Sequence, residues 1–342
     1  MPSSGLLKVL TDEGSFLEFD SQVRCGVTSG LATICARPVS LVIVEHITDG
    51  NAFCGKVLRL LQKTKSTGTP LLMVFEGDSE PADHAVVSEI LQQLVRLSGV
   101  CPLLALTIGL KGKLAEALLP YMDFRVFAGE LASGSCSDIA VVDALAASEK
   151  VRTLISLLPS NCAEAPALLD IGDDTDRADR AGDSNTGFGT VTEITDSDTL
   201  CIIYQDLHVM AAFARIGGRV TGIMACDGSE IPDHTARFIS FCDAFSLPVV
   251  FVMENIQGFF APLVMYAFAR ATVPKICLGN CCGMKALFDV VLATQERAEE
   301  SLCDDSAPTL EIRRILINAL ELLSVKRDVL APHKHGNAPL KE

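Results

Sequence analysis

The sequence predicts an α/β fold: two tandem domains related by internal duplication, each a mostly parallel sheet covered by helices. Three observations predict it. First, the chain repeats itself in order. Val27–Ile34, Cys35-Ala36-Arg37 and the apolar run Val39–Val44 are answered by Val209–Ile216, Gly217-Gly218-Arg219 and Val220–Ala225. Thr69-Pro70 through Glu76 is answered by Leu247-Pro248 through Glu254, Ser98–Pro102 by Ala271–Pro274, and Asp12–Leu17 by Asp196–Cys201. A repeat unit of half the chain means two copies of one domain, not a solenoid, and a site shared by two such halves is expected between them. Second, short apolar strand-like runs alternate with stretches of helical periodicity. Third, the strands are nearly continuous in apolar residues, as in sheets buried on both faces.

The elements follow in order. Leu41–Glu45, Leu71–Phe75, Leu103–Ile108 and Arg125–Ala128 read as strands, and Phe53–Lys65 and Ala82–Leu97 as helices. Within those helices Val57, Leu58 and Leu61, then Val86, Val87, Ile90, Leu91, Leu94 and Val95, fall at helical spacing. In the second half Ile223–Ala225, Val249–Met253 and Lys275–Leu278 read as strands, and Asp233–Phe245 and Ala261–Thr272 as helices. Lys285 is expected to follow a strand and open a helix over Ala286–Leu292. Glu311–Val329 carries an amphipathic pattern built on Ile312, Ile315, Leu316, Ala319, Leu320 and Leu323.

Between the halves, residues 170–198 are acidic and Gly-bearing, and the stretch from Asp170 to Gly187 has Ile171 as its only large apolar residue. Too little burial is available there to offset ordering entropy, so this stretch is predicted to be a flexible linker. The expected domains are therefore 1–169 and 199–330, with a polar tail at 331–342.

Composition narrows the class. The chain has 342 residues, 49% hydrophobic, 6% aromatic and without Trp, which predicts well-packed aliphatic cores. No apolar run reaches the roughly 18–20 residues of a membrane helix, and no basic segment precedes an apolar one at the N-terminus, so neither membrane nor signal peptide is expected. A net charge of −15 argues against a nucleic-acid partner. The thirteen cysteines show no C-x2-C pair and no metal-ligand pattern. Cys35, Cys101, Cys201 and Cys242 lie in apolar runs and read as small buried hydrophobes in a reducing cytoplasm.

No G-x-S-x-G, H-E-x-x-H, Walker loop or G-x-G-x-x-G following a strand is present. The histidines His46, His84, His208 and His234 have no paired carboxylate at fixed spacing. What remains are Gly-bearing turns after strands: Glu76-Gly77-Asp78-Ser79, Gly109 to Lys113, Asn255 to Phe259, and Gly279 to Gly283. Glycine lets backbone amides turn toward a ligand, and a following helix start adds partial positive charge. Four such turns in paired positions can build two anion-stabilising pockets.

At these residues the chain resembles the carboxyltransferase subunit of biotin-dependent acyl-CoA carboxylases. The resemblance is carried by Thr67–Pro70, Ser98–Pro102, Leu158–Asn161, Phe213–Arg219, Gln257–Phe259, Ala271–Lys275 and above all Ala236–Pro248. It runs from about Asp12 to Asp289 and implies two crotonase-like (ββα superhelix) domains. In that family acyl-CoA binds one half and carboxybiotin the other, with sites formed across a dimer interface. The resemblance thus implies a short acyl-CoA as substrate, carboxybiotin presented by a separate biotin carboxyl carrier, a biotin carboxylase subunit as partner, no covalently bound cofactor, no metal, and a homo-oligomer built from dimers. It implies that the CO2 acceptor is a thioester enolate, formed in a water-poor pocket and held by main-chain N–H groups.

Carried onto this sequence, the main-chain N–H pockets fall at Gly112, Lys113 and Leu114 and at Lys285 and Ala286, with substrate contacts at Gly77, Asp78, Gly258, Phe259 and Gly283. The family has Gly-Gly pairs where this chain has Lys113-Leu114 and, approximately, Lys285-Ala286, and a segment of more than ten residues after Phe259 is missing. These departures predict activity well below that of a typical member. Three readings stay open: a working carboxyltransferase, a non-catalytic scaffold or regulatory paralogue, and a biotin-independent thioester decarboxylase.

Overall fold

The structure, a computed structural model, describes residues 4–76, 84–109, 112–129, 138–169, 173–175, 187–227, 234–254, 261–281, 283–294, 303–308 and 311–326. The chain divides into two compact units, Met1–Ala165 and Pro166–Glu342.

The first unit runs α1 (Ser4–Leu10), β1 (Leu17–Glu18), β2 (Val27–Ile34), β3 (Arg37–Val44), α2 (Gly50–Thr67), β4 (Leu71–Glu76), α3 (His84–Leu97), β5 (Leu103–Ile108), α4 (Lys113–Leu118), β6 (Phe124–Ala128), β7 (Asp138–Val141) and α5 (Ala144–Leu157). Its seven strands lie side by side in sequence order. β1, β2 and β3 pair antiparallel, and β3 through β7 pair parallel. Leu71, Met73 and Phe75 of β4 join Phe53, Val57, Leu60 and Leu61 of α2 and Ile90 and Leu94 of α3 in one core. Leu72 and Val74 are fully buried on the opposite face, so the strand is covered on both sides. Helix α2 starts at Asp49, whose carboxylate accepts the N–H groups of Asn51 and Ala52, and stops at Gly68 in the left-handed conformation.

The second unit repeats this order: α6 (Gly187–Ile194), β8 (Cys201–Gln205), β9 (Val209–Ile216), β10 (Arg219–Asp227), α7 (His234–Ala244), β11 (Val249–Glu254), α8 (Pro262–Arg270), β12 (Lys275–Gly279), β13 (Val290–Thr294), β14 (Asp305–Ala307) and α9 (Ile312–Leu322). Its sheet again holds seven strands in sequence order, three antiparallel and then parallel. Phe213, Phe238, Phe241 and Phe245 pack as one chain of rings, with centroids 4.5–5.8 Å apart.

The duplication extends to individual hydrogen bonds. In the first unit the Asp12 carboxylate accepts the N–H groups of Cys35 and Ala36 at the β2–β3 hairpin and a bond from Arg152 of α5. In the second, Asp196 accepts the N–H groups of Gly217 and Gly218 at the β9–β10 hairpin and a bond from Arg313 of α9. Ser15 and Thr199, each three residues on, accept the N–H of Thr33 and of Arg215 with their side-chain oxygens. Asp123 and Asp289 each cap the start of the preceding parallel strand, at the N–H of Leu103 and of Lys275. One network has been kept twice.

Four expectations are corrected. Residues 170–198 are not wholly linker, because 187–194 form α6 and bury Val191 and Ile194 completely in the second core. The acidic composition of 170–186 concealed an amphipathic turn directly after it. The helix expected over Ala286–Leu292 is a single 3-10 turn, Lys285–Leu287, followed by strand β13. The apolar run Val290–Leu292 pairs with β12 there, and that tertiary partner overrides any local helical preference. Cys35 is only half-buried, since it occupies the hairpin turn, whereas Cys101, Cys201 and Cys242 are buried as expected. The amphipathic pattern of 311–329 gives a helix only over Ile312–Leu322, ending in a 3-10 turn at Leu323–Val325, and the tail 331–342 lies outside the described residues.

Candidate active site

In open parallel sheets, ligands bind beyond the carboxyl ends of the strands. In the first unit β4 and β5 end side by side, with Glu76 paired to Ile108. The chain then turns at Gly109, with φ +80°, and re-enters a helix at Gly112, the extended residue preceding α4. Lys113 and Leu114 therefore stand in the first turn of α4, where N–H groups have no intrahelical acceptor. Their backbone is helical, so neither carries left-handed strain. The two side chains diverge: Lys113 is exposed, and Leu114 is fully buried in the core with Leu118 and Met122. Gly77 and Asp78 lie outside the described residues.

At the same strand ends sits a cleft of about 360 Å³. Leu6 and Val9 of α1 and Ala144 and Leu145 of α5 form its walls, and Glu76 and Ile108 close it at the sheet.

In the second unit the equivalent strands β11 and β12 end with Met253 paired to Gly279. Gly279 has φ +109°, and a β-carbon there would lie 2.2 Å from the Met253 carbonyl oxygen, so only glycine fits this approach. Gly283 also has positive φ, +79°, but is exposed with open space around it. Lys285 opens the 3-10 turn, half-buried, and its ammonium makes an ion pair with Asp304 at 2.5 Å, while Ala286 is exposed. The bond from Lys285 holds the Asp304 carboxyl below its ordinary value, against a smaller upward push from burial, and the Val291 N–H also donates to it. Burial pushes the nearby Cys281 thiol up, which makes it a poor nucleophile. Gly258 and Phe259 lie outside the described residues.

Among the described residues each unit thus brings one of its sequence-predicted turns to a strand end: Gly109 and Gly112 to Leu114 after β5, beside β4, in the first, and Gly279 to Cys281 with Gly283 to Ala286 after β12, beside β11, in the second. The cleft itself was not foreseen. Its walls come from α1 and α5, helices whose sequences carry no motif. Among the described residues no group of three or more His, Cys, Asp or Glu side chains could hold a metal ion, and no helix is long and apolar enough to cross a membrane.

Comparison with known proteins places this geometry. The sequence model of the Carboxyl transferase domain matches residues 131–262. The methylmalonyl-CoA decarboxylase subunit alpha of Veillonella parvula is 23% identical, with 98% of this chain and 92% of that protein covered. The propionyl-CoA carboxylase beta chain of Roseobacter denitrificans is 24% identical over 78% of this chain and 69% of its own. Among solved structures, transcarboxylase 12S superposes with a TM-score of 0.83 at 21% identity, covering 98% of this chain and 92% of that one. With its two seven-stranded sheets the chain has the fold of transcarboxylase 12S, and in sequence it is similar to subunits of acyl-CoA carboxylases and decarboxylases.

Proposed function

We propose that the protein is the carboxyltransferase subunit of an acyl-CoA carboxylase, moving a carboxyl group between carboxybiotin on a separate carrier protein and the α-carbon of an acyl-CoA. The observation that carries this reading is sequence similarity to a decarboxylase subunit over 98% of the chain and to a carboxylase beta chain over 78% of it. The chemistry suits the site. Stabilising a thioester enolate takes main-chain donors at a water-poor strand end, not a side-chain nucleophile, and Lys113 and Leu114 at the start of α4 and Lys285 at its 3-10 turn offer main chain after β5 and β12. In this reading the partners are a biotin carboxyl carrier, a biotin carboxylase and further copies of this chain assembled from dimers, in the cytoplasm.

A second reading, a non-catalytic scaffold, is favoured by two particular contacts. The Lys285–Asp304 ion pair occupies the second-unit turn with side chains, and Leu114 fills core volume where the family resemblance leads one to expect glycine. The test is carboxylation of acetyl- and propionyl-CoA with a carboxylated carrier, for wild type, Lys113→Gly and Lys285→Gly. Leu114→Gly is left out because its cavity would cost several kcal/mol. Low wild-type turnover that rises at least about tenfold in either variant supports a weakened carboxyltransferase. No turnover in any of them supports the scaffold, and carrier-free decarboxylation of malonyl- or methylmalonyl-CoA supports a decarboxylase.

A further inference from the structure

We infer that the cleft beside β4 and β5 is a chain-length-selecting pocket for the aliphatic tail of an acyl thioester. This rests on the acyl-CoA reading above and adds to it a preference for medium-length chains.

The walls make the case. Leu6, Val9, Ile108, Ala144 and Leu145 are aliphatic. Ser148 also lines the cleft, but its hydroxyl donates to the Ala144 carbonyl at 2.8 Å and is already satisfied. A lining so poor in hydrogen-bonding groups offers little to a sugar, a nucleotide base or a phosphate. At roughly 30 Å³ per methylene, close to a water's share of liquid volume, 360 Å³ holds a straight chain of about ten to twelve carbons. The apolar surface also continues outward: Val9 is 40% exposed and Leu145 55%, and Val142, two residues before α5, is 89% exposed.

Titration calorimetry on the full chain tests this with N-acetylcysteamine thioesters, which lack the nucleotide, and with acetyl-CoA and decanoyl-CoA. Each buried methylene is worth about fourfold in affinity. The decanoyl thioester should bind at least about a hundredfold more tightly than the acetyl one. Leu145→Glu puts a charge at the cleft mouth. It is an exposed first-turn position of α5, where an acidic side chain suits the helix dipole, so the variant should fold. It should abolish the chain-length gradient. Equal affinity for acetyl and decanoyl thioesters, or a gradient that survives Leu145→Glu, would each overturn the pocket. A gradient among N-acetylcysteamine thioesters with no gain from the CoA moiety supports the pocket while removing the acyl-CoA reading.

Discussion

The two copies of the Asp–Arg clamp make a controlled experiment, because the same topological pair is buried to different depths. In the second unit the Arg313 and Asp196 side chains are 5% and 9% exposed and meet at 2.5 Å. In the first, the Arg152 and Asp12 side chains are 30% and 27% exposed and meet at 3.1 Å. Removing the cation from a buried pair leaves a carboxylate in low dielectric and typically costs about 3–5 kcal/mol. Asp196 keeps the N–H groups of Gly217 and Gly218, at 2.9 and 2.7 Å, so Arg313→Leu should fall near the low end, about 3 kcal/mol. Asp12 remains partly solvated, and Arg152→Leu should cost no more than about 1 kcal/mol. Because the chain has two units, a single melting curve does not report either one cleanly. Hydrogen exchange read by peptide mass does. The β9–β10 peptides should exchange about a hundredfold faster in Arg313→Leu, and the β2–β3 peptides no more than about fivefold faster in Arg152→Leu. Equal acceleration in both hairpins, or the reverse order, would refute the claim that burial sets the strength of this clamp.

Two further outcomes follow from the same network. Cys35 and Ala36 hold φ +53° and +59° where the second unit has Gly217 and Gly218, so the first hairpin carries left-handed strain of about 1–2 kcal/mol per residue. Cys35→Gly with Ala36→Gly should therefore stabilise the first unit by about 1 kcal/mol after glycine's entropy cost, and denaturant titration of the double variant showing destabilisation would contradict this. Acid should act on that hairpin too. Burial pushes the Asp12 carboxyl up, but the N–H groups of Ala36 and Cys35 and bonds from Thr33 and Arg152 together hold it below its ordinary 3.8. A depressed carboxyl stabilises the fold above its unfolded value and loses that contribution as pH falls through the folded one. Protection of the β2–β3 peptides should accordingly be flat from pH 7 to 5 and decline below about pH 4, and Asp12→Asn should remove that decline.

The sequence by itself determined the α/β class and the duplication. Both follow from local patterns: apolar runs such as Leu71–Phe75 and Val249–Met253 can only be strands buried on both faces, and their order recurs. It also placed Gly109 and Gly279 directly after parallel strands, where the structure has both with positive φ. The tertiary structure decided what local pattern underdetermines. Helix α6 forms from an unremarkable stretch because Val191 and Ile194 find a core to enter. Val290–Thr294 is a strand because β12 offers it an edge to pair with. The Lys285–Asp304 pair joins residues on opposite sides of β13, and no spacing rule announces it. The cleft is made by two helices that begin some 140 residues apart in sequence, Ser4–Leu10 and Ala144–Leu157, and meet only because the sheet between them folds. Periodicity reports which face a residue buries; it carries no information about which distant face it buries against, and that pairing sets the shape of the site.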